Sequence, residues 1–128
     1  LFSELTKLSS LNLALFLHNS KFGFYNGTGN SDGVFVYTGF RPAWIMTKRA
    51  DSSGNWYMND TSRSPGNPTS SFGDNLYADL NNAESGNGMD ILSNGFKIRN
   101  TDSSQNASGG TYVFMAFAEA ESKQANAR

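Results

Sequence analysis

The sequence predicts an all-β fold, a sandwich or a barrel, on three observations. Short runs rich in Phe, Tyr, Val and Ile recur from Phe22 onward. Between them lie segments of turn-forming residues, among them NGTGNSDG, ADSSG, SPGNP, SGNG and SSQNASGG. The final run, 111–119, is apolar on both alternations: Tyr112, Phe114, Ala116 and Ala118 on one side, Val113, Met115 and Phe117 on the other. Several short strands with this punctuation are the pattern of a sandwich or barrel.

The elements follow in order. The strand candidates are 22–25, 34–38, 43–48, 56–59, 76–80, 89–92, 95–99 and 111–119. Pro42 lacks a ladder donor, so it is expected to begin or bend the third run rather than sit inside it. Residues 61–74, with Pro65 and Pro68, read as a long surface loop. Asn94-Gly95 is the strongest hairpin signal, because a type I′ turn needs positive φ at both central positions. The last run, apolar on both faces, is expected to be a central strand covered on both sides.

The start of the chain differs from the rest. Seven of its ten leucines fall in the first 17 residues, which sets a segment 1–20 apart from a domain 21–128. Leu1, Leu5, Leu8, Leu11 and Leu15 share one helical face, while Leu11, Leu13, Leu15 and Leu17 also alternate as in a strand, and both readings stay open. A helical turn or two followed by a strand uses both. Leucine in this quantity on an end segment calls for a partner, so Leu1, Leu5, Leu8, Leu11 and Leu15 are the assembly candidates. The chain opens on Leu1 without the basic start and cleavage site of a signal peptide, as expected of a piece of a longer polypeptide.

Composition narrows the function. With 128 residues the chain fits one domain that needs no disulfide or structural zinc, and it contains no cysteine. Ten Lys and Arg against eleven Asp and Glu leave no basic field for a nucleic-acid backbone. No apolar stretch approaches the ~20 residues of a membrane span. Asn, Ser, Thr and Gly supply 53 of the 128 residues, a neutral polar surface suited to a place outside the cytoplasm.

Catalysis has little to draw on, and no enzyme is expected. His18 is the single histidine, no G-x-S-x-G elbow accompanies it, and it reads as an imidazole ending a strand. Asp60, Asp74, Asp79, Asp90, Glu84 and Glu119 show no spacing that selects a glycosidase pair. Glu119 is expected to be partly buried and paired with Arg41, Lys48 or Arg99. No cofactor is called for. A loop-bound Ca²⁺ would use carbonyls with one or two of Asp32, Asp51 and Asp102, and nothing in the pattern selects it.

Ligand binding has more to build on. Trp44, Trp56, Tyr57, Phe72 and Tyr77 lie near loops rich in Asn, Asp and Ser. Aromatic faces stack on sugars while amides and carboxylates satisfy hydroxyls. Trp44 and Trp56 read as sheet-packing residues, which makes Tyr57, opposite in phase to Trp56, the better exposed candidate. The binding candidates are therefore Tyr57, Asp60, Asn67, Phe72, Asp74 and Tyr77.

The strings YTGFRPAWIMTKR (37–49), ILSNGFKIR (91–99) and NASGGTYVFMAFAE (106–119), with NAR at 126–128, go beyond a generic β pattern. In this order, together with NGTGNSDG, the Asn55-Trp56 pair and NLYADLNNAE, the chain from Gly23 to Arg128 resembles a module of bacteriophage tail-fibre and tail-associated proteins common in marine phages. Where that module continues with Pro-Phe after AFAE, this chain has Ala120, Glu121 and Ser122. The resemblance implies a lectin-like sandwich, of jelly-roll or concanavalin type, displayed on a virion tail appendage and acting outside the cell. It implies a homotrimer in contact with other tail proteins and with a host-surface glycan or protein. It brings no catalytic or ligand residues. The alternative is a purely structural assembly element that binds no ligand.

Overall fold

A computed structural model describes residues 19–63 and 73–119. Nine strands, β1 (Ser20–Asn26), β2 (Phe35–Tyr37), β3 (Pro42–Arg49), β4 (Tyr57–Asp60), β5 (Gly73–Tyr77), β6 (Ser85–Asn87), β7 (Met89–Leu92), β8 (Gly95–Ile98) and β9 (Thr111–Ala118), form two antiparallel sheets. The large sheet runs β1-β9-β3-β4-β5-β6 and the small one β2-β8-β7. One short helix, α1 (Ser103–Asn106), precedes β9. The fold is an all-β sandwich, one of the two architectures that the short runs predict and the one that the resemblance implies.

Between the sheets lie Tyr25, Val36, Ile45, Met89, Ile91, Phe96, Ile98, Tyr112, Phe114 and Ala116, with Val34 and Phe40 packed against them. Tyr25 stacks on Tyr112 at 5.1 Å between centroids, and Phe96 meets Phe114 edge-on at 5.3 Å. This core joins β1, β9 and β3 to the small sheet. Beyond it, the inner sides of β4 and β5 carry polar groups, and that difference leaves room for a cleft.

β9 is central, as expected, lying between β1 and β3. Its cover is one-sided among the described residues: Tyr112, Phe114 and Ala116 are buried, whereas Val113 is 43% and Phe117 37% exposed. The expectation of a strand covered on both faces is corrected to that extent. Pro42 stands at the start of β3 opposite Ala118, and the register shifts between Pro42 and Trp44, where the missing donor breaks the ladder.

The β7–β8 hairpin forms, but its loop is Ser93-Asn94. Gly95 is already a strand residue paired with Leu92 and with Tyr37. Gly95 is glycine for space rather than for φ, because a Cβ there would run into the Val36 carbonyl of β2. Two further readings are corrected. Residues 85–87, taken as a turn, form the edge strand β6, where pairing to β5 overrides weak β propensity. The run 76–80 ends as a strand at Tyr77, because Asp79 turns back to accept the Trp56 amide at 3.1 Å. In the predicted loop 61–74, residues 64–72 lie outside the described part, and Gly73 and Asp74 belong to β5.

Candidate functional site

The described chain has an open polar cleft of about 390 Å³ on the flank of β5, lined by Asn75, Tyr77, Arg99, Asn100, Thr101 and Asp102, with Ser31 at its rim. Three pieces of chain build it. The alternation of β4 and β5 sends Tyr57, Asn59, Asn75 and Tyr77 to the inner side, and register pairs Tyr57 with Tyr77. Their rings meet edge-on at 4.9 Å. The Tyr77 hydroxyl lies 3.2 Å from Ser85 Oγ on β6, so the aromatic wall is held at both ends.

Asn75 is 3% exposed, and its Oδ1 accepts from Asn59 Nδ2 at 2.7 Å. Gly88 packs so closely on this pair that a Cβ there would lie 2.5 Å from Asn59 Nδ2. Asn100 Nδ2 donates to the Gly88 carbonyl at 3.0 Å and to Gln105 Oε1 at 2.6 Å, and Gln105 Nε2 donates to Thr47 Oγ1 at 3.2 Å. A chain of buried carboxamides thus fixes the floor. Buried polar groups joined in this way hold one arrangement, since breaking any link strands a desolvated donor or acceptor.

Asp102 joins the floor to the rim. Its Oδ1 accepts the Ser104 amide at 2.7 Å as the cap of α1, and its Oδ2 accepts from the Tyr57 hydroxyl at 2.9 Å. Burial pushes the Tyr57 phenol well above its usual range, and the hydrogen bond to Asp102 raises it further. Tyr57 is therefore a neutral donor. Arg99 brings a cation to the opposite rim, where its Nε donates to Asp90 at 2.6 Å and its Nη1 to Asp32 at 3.0 Å. The Asp90 hydrogen bond is the main reason its guanidinium is held above the usual range. Lys97 also reaches Asp32, at 2.8 Å, and holds that carboxyl below its ordinary range.

A buried knot beside the cleft holds the loops around it. The Asn106 side chain accepts the Thr28 amide at 2.8 Å and donates to the carbonyls of Asn30 and Asn100, both at 2.7 Å. The Asn106 residue has no exposed surface. Here the NASGG motif meets the NGTGN loop, and Gly109, at φ 74, turns the chain into β9.

Of the six binding candidates, the structure brings Tyr57 and Tyr77 together and places Asp60 elsewhere. Asp60 pairs across β3 with Trp44, on the outer side of the sheet, and is engaged by Arg63. Asn67 and Phe72 lie outside the described residues, as does the side chain of Asp74. The exposures of Tyr57 and Trp56 are the reverse of the expectation: Tyr57 is 2% exposed and Trp56 39%. They do point to opposite sides, but the inner side of β4 is covered by Asp102 and Tyr77. Glu119 is exposed and has no ion pair among the described residues, while Arg41 donates to the Ile91 carbonyl and Lys48 to the Arg49 carbonyl. The expected partly buried pair is thereby corrected.

Among the cleft residues, Asn75, Asn100 and Thr101 do not stand out in the sequence, Arg99 does so only as a partner for Glu119, and Asp102 only as a calcium ligand. One signal was available: Asp102 stands three residues before Gln105, the spacing of a helix cap and its return partner. Asp32, Asp51 and Asp102 are each engaged separately, by Lys97 and Arg99, by Arg49, and by Tyr57 with the α1 cap. No group of three or more His, Cys, Asp or Glu able to hold a metal occurs among the described residues. No helix among them is long and apolar enough to cross a membrane. His18 and the assembly candidates Leu1, Leu5, Leu8, Leu11 and Leu15 lie outside the described part.

Fold and site together define a small antiparallel β-sandwich with a tyrosine-walled polar cleft on its flank. Residues 17–121 match the family described as Domain of unknown function (DUF7483), and the chain belongs to that family. No curated protein and no solved structure matches the chain.

Proposed function

We propose that this domain is a display and attachment module of a bacteriophage tail appendage, binding a glycan or glycosylated protein on the host surface through the cleft beside Tyr77. The observation that carries the binding reading is the composition of the cleft. One aromatic ring, Tyr77, lines it together with the amide, carboxylate and guanidinium residues Asn75, Asp102 and Arg99. That mixture suits a sugar, whose apolar face stacks on a ring while its hydroxyls take hydrogen bonds in both directions. The ordered motifs at 37–49, 91–99 and 106–119 support the tail-appendage setting, and with it a homotrimer in contact with other tail proteins.

No reaction is proposed for the site. The cleft carboxylate, Asp102, has both oxygens committed to holding Tyr57 and α1, and no second carboxylate lines the cleft.

The test is a glycan array and a host-cell binding assay with the intact chain, beside Tyr77→Ala and Arg99→Ala variants of unchanged circular dichroism. Binding that falls at least tenfold in both variants supports the reading. Absence of binding to any glycan at millimolar concentration and to any host cell overturns it, as does binding that both variants retain.

A further inference from the structure

The outer face of the large sheet is mostly apolar across three strands, with Ser20 of β1 and Lys48 of β3 as polar members. It presents Phe22 and Phe24 of β1, Val113, Met115 and Phe117 of β9, and Trp44 and Met46 of β3. Phe24 is 70% and Phe22 52% exposed. Phe117 lies at the centre of an aromatic group, 6.0 Å from Phe22 and 5.7 Å from Trp44. An apolar hollow of about 320 Å³ opens among Phe22, Met46, Trp56, Val113 and Met115. A sheet face that meets water alternates toward polar residues, and a contiguous apolar patch of this kind marks a surface that is covered.

Three observations select what covers it. The chain enters the sheet at Ser20, which opposes Phe117 on this same face and is only 2% exposed, so the preceding residues are delivered to the edge of the patch. Asn19, immediately before it, is helical. Residues 1–18 then hold seven of the chain's ten leucines, with Leu1, Leu5, Leu8, Leu11 and Leu15 on one helical face.

The dimensions agree. A helix over residues 1–18 would be about 27 Å long, and the eight residues of β9 run about 27 Å along the middle of this face. A segment tethered at the patch also has an effective concentration of roughly millimolar or more, which favours it over a separate molecule.

We propose that residues 1–18 lie as an amphipathic helix across the outer face of the large sheet of their own chain. The leucine stripe packs on Phe22, Met115, Phe117 and Trp44 and supplies the second cover that β9 lacks among the described residues. The polar side of the helix then becomes the outer surface.

Because the chain contains no cysteine, introduced pairs report without interference. Leu8→Cys, Leu11→Cys and Leu15→Cys are each combined with Met115→Cys in the full chain and treated with a short bis-maleimide. Tyr37→Cys on the small sheet, 64% exposed, serves as the control partner for each. The expected result is a cross-linked species of monomer mass from at least one Met115 pair and from no Tyr37 pair. Products of only dimer or trimer mass would show that a second copy occupies the face and would overturn the proposal. So would the absence of an intrachain product from all three Met115 pairs.

A second measurement guards against misfolded variants. Trp44 and Trp56, the two tryptophans of the chain, both border this face. The Leu8→Ser/Leu15→Ser variant, with its far-ultraviolet circular dichroism retained between 200 and 220 nm as in the native chain by the β-sheet signature, is expected to shift tryptophan emission to the red and increase acrylamide quenching about twofold. Unchanged emission and quenching would overturn the proposal.

Discussion

Tyr57 and Asp102, 45 positions apart, meet at 2.9 Å, and the same carboxylate caps α1 at Ser104. One side chain therefore ties a strand of the large sheet to the helix that leads into β9. Tyr57→Phe is expected to cost about 1–2 kcal/mol, the loss of one hydrogen bond to a charged group. Asp102→Ala loses that bond and the cap together, so it is expected to cost about 1 kcal/mol more. Urea unfolding midpoints of the two variants check the order, and equal losses would remove the shared role of the carboxylate.

Asn106→Ala is expected to be among the most damaging polar substitutions in the domain. It leaves the Thr28 amide and the Asn30 and Asn100 carbonyls without the partner they have at 2.7–2.8 Å. A loss of about 3 kcal/mol or more follows from stranding several buried groups at once. Asn106→Asp is expected to do no better, because it keeps the acceptor, removes both donor contacts and places a charge in a site with no exposed surface. Thermal unfolding of both proteins tests this.

Two glycines are expected to respond differently to alanine. At Gly95 the added Cβ collides with the Val36 backbone, which cannot move without breaking the pairing of β2 with β8, and the expected cost is about 2–3 kcal/mol. At Gly109 nothing lies within 4 Å of the added carbon, so only the strain of φ 74 remains, about 1–2 kcal/mol. Comparing the two midpoints separates a steric glycine from a conformational one.

Acid should weaken the fold over a defined range. The carboxyls of Asp32, Asp51 and Asp60 are all held below the ordinary value of 3.8. For Asp32 and Asp51 the main cause is a hydrogen bond from Lys97 and from Arg49, respectively. For Asp60, burial pushes upward, but the Arg63 amide and guanidinium outweigh it. Because the folded values lie below the unfolded ones, these groups stabilise the native state fully above about pH 4 and lose that effect as pH falls through the folded values. Urea midpoints that decline below about pH 4 are expected. Asp60→Asn with Arg63→Gln should make the decline shallower, and an unchanged slope would show that other carboxyls carry it.

The strands were legible where apolar, β-branched and aromatic residues ran between turn-forming segments, as at 43–48, 89–92 and 111–119. They were illegible where pairing alone made the strand: Ser85, Gly86 and Asn87 carry no β signal and become β6 by lying beside β5. The site was harder to read for a related reason. Tyr57 and Tyr77 could be named as aromatics near polar loops, but their relation to Asp102 and Asn100 depends on how the sheets are stacked, and no local pattern encodes that. Trp56 and Tyr57 show the limit most directly, because alternation gives opposite faces without saying which face is covered.

The last strand of the described chain, β9, sits between the first and third strands of the large sheet. A nascent chain that lacks β9 thus has no continuous sheet to build on: β1 has no described neighbour, and β3 is open along one side. Tyr112, Phe114 and Ala116, which fill the middle of the core, arrive with it. During synthesis the large sheet cannot be completed until residue 118 is free, and its completion rests on pairings distant in sequence, which form slowly. Over that interval the apolar strands made earlier are open to one another and to neighbouring chains, so the period of greatest aggregation risk falls before the final strand emerges.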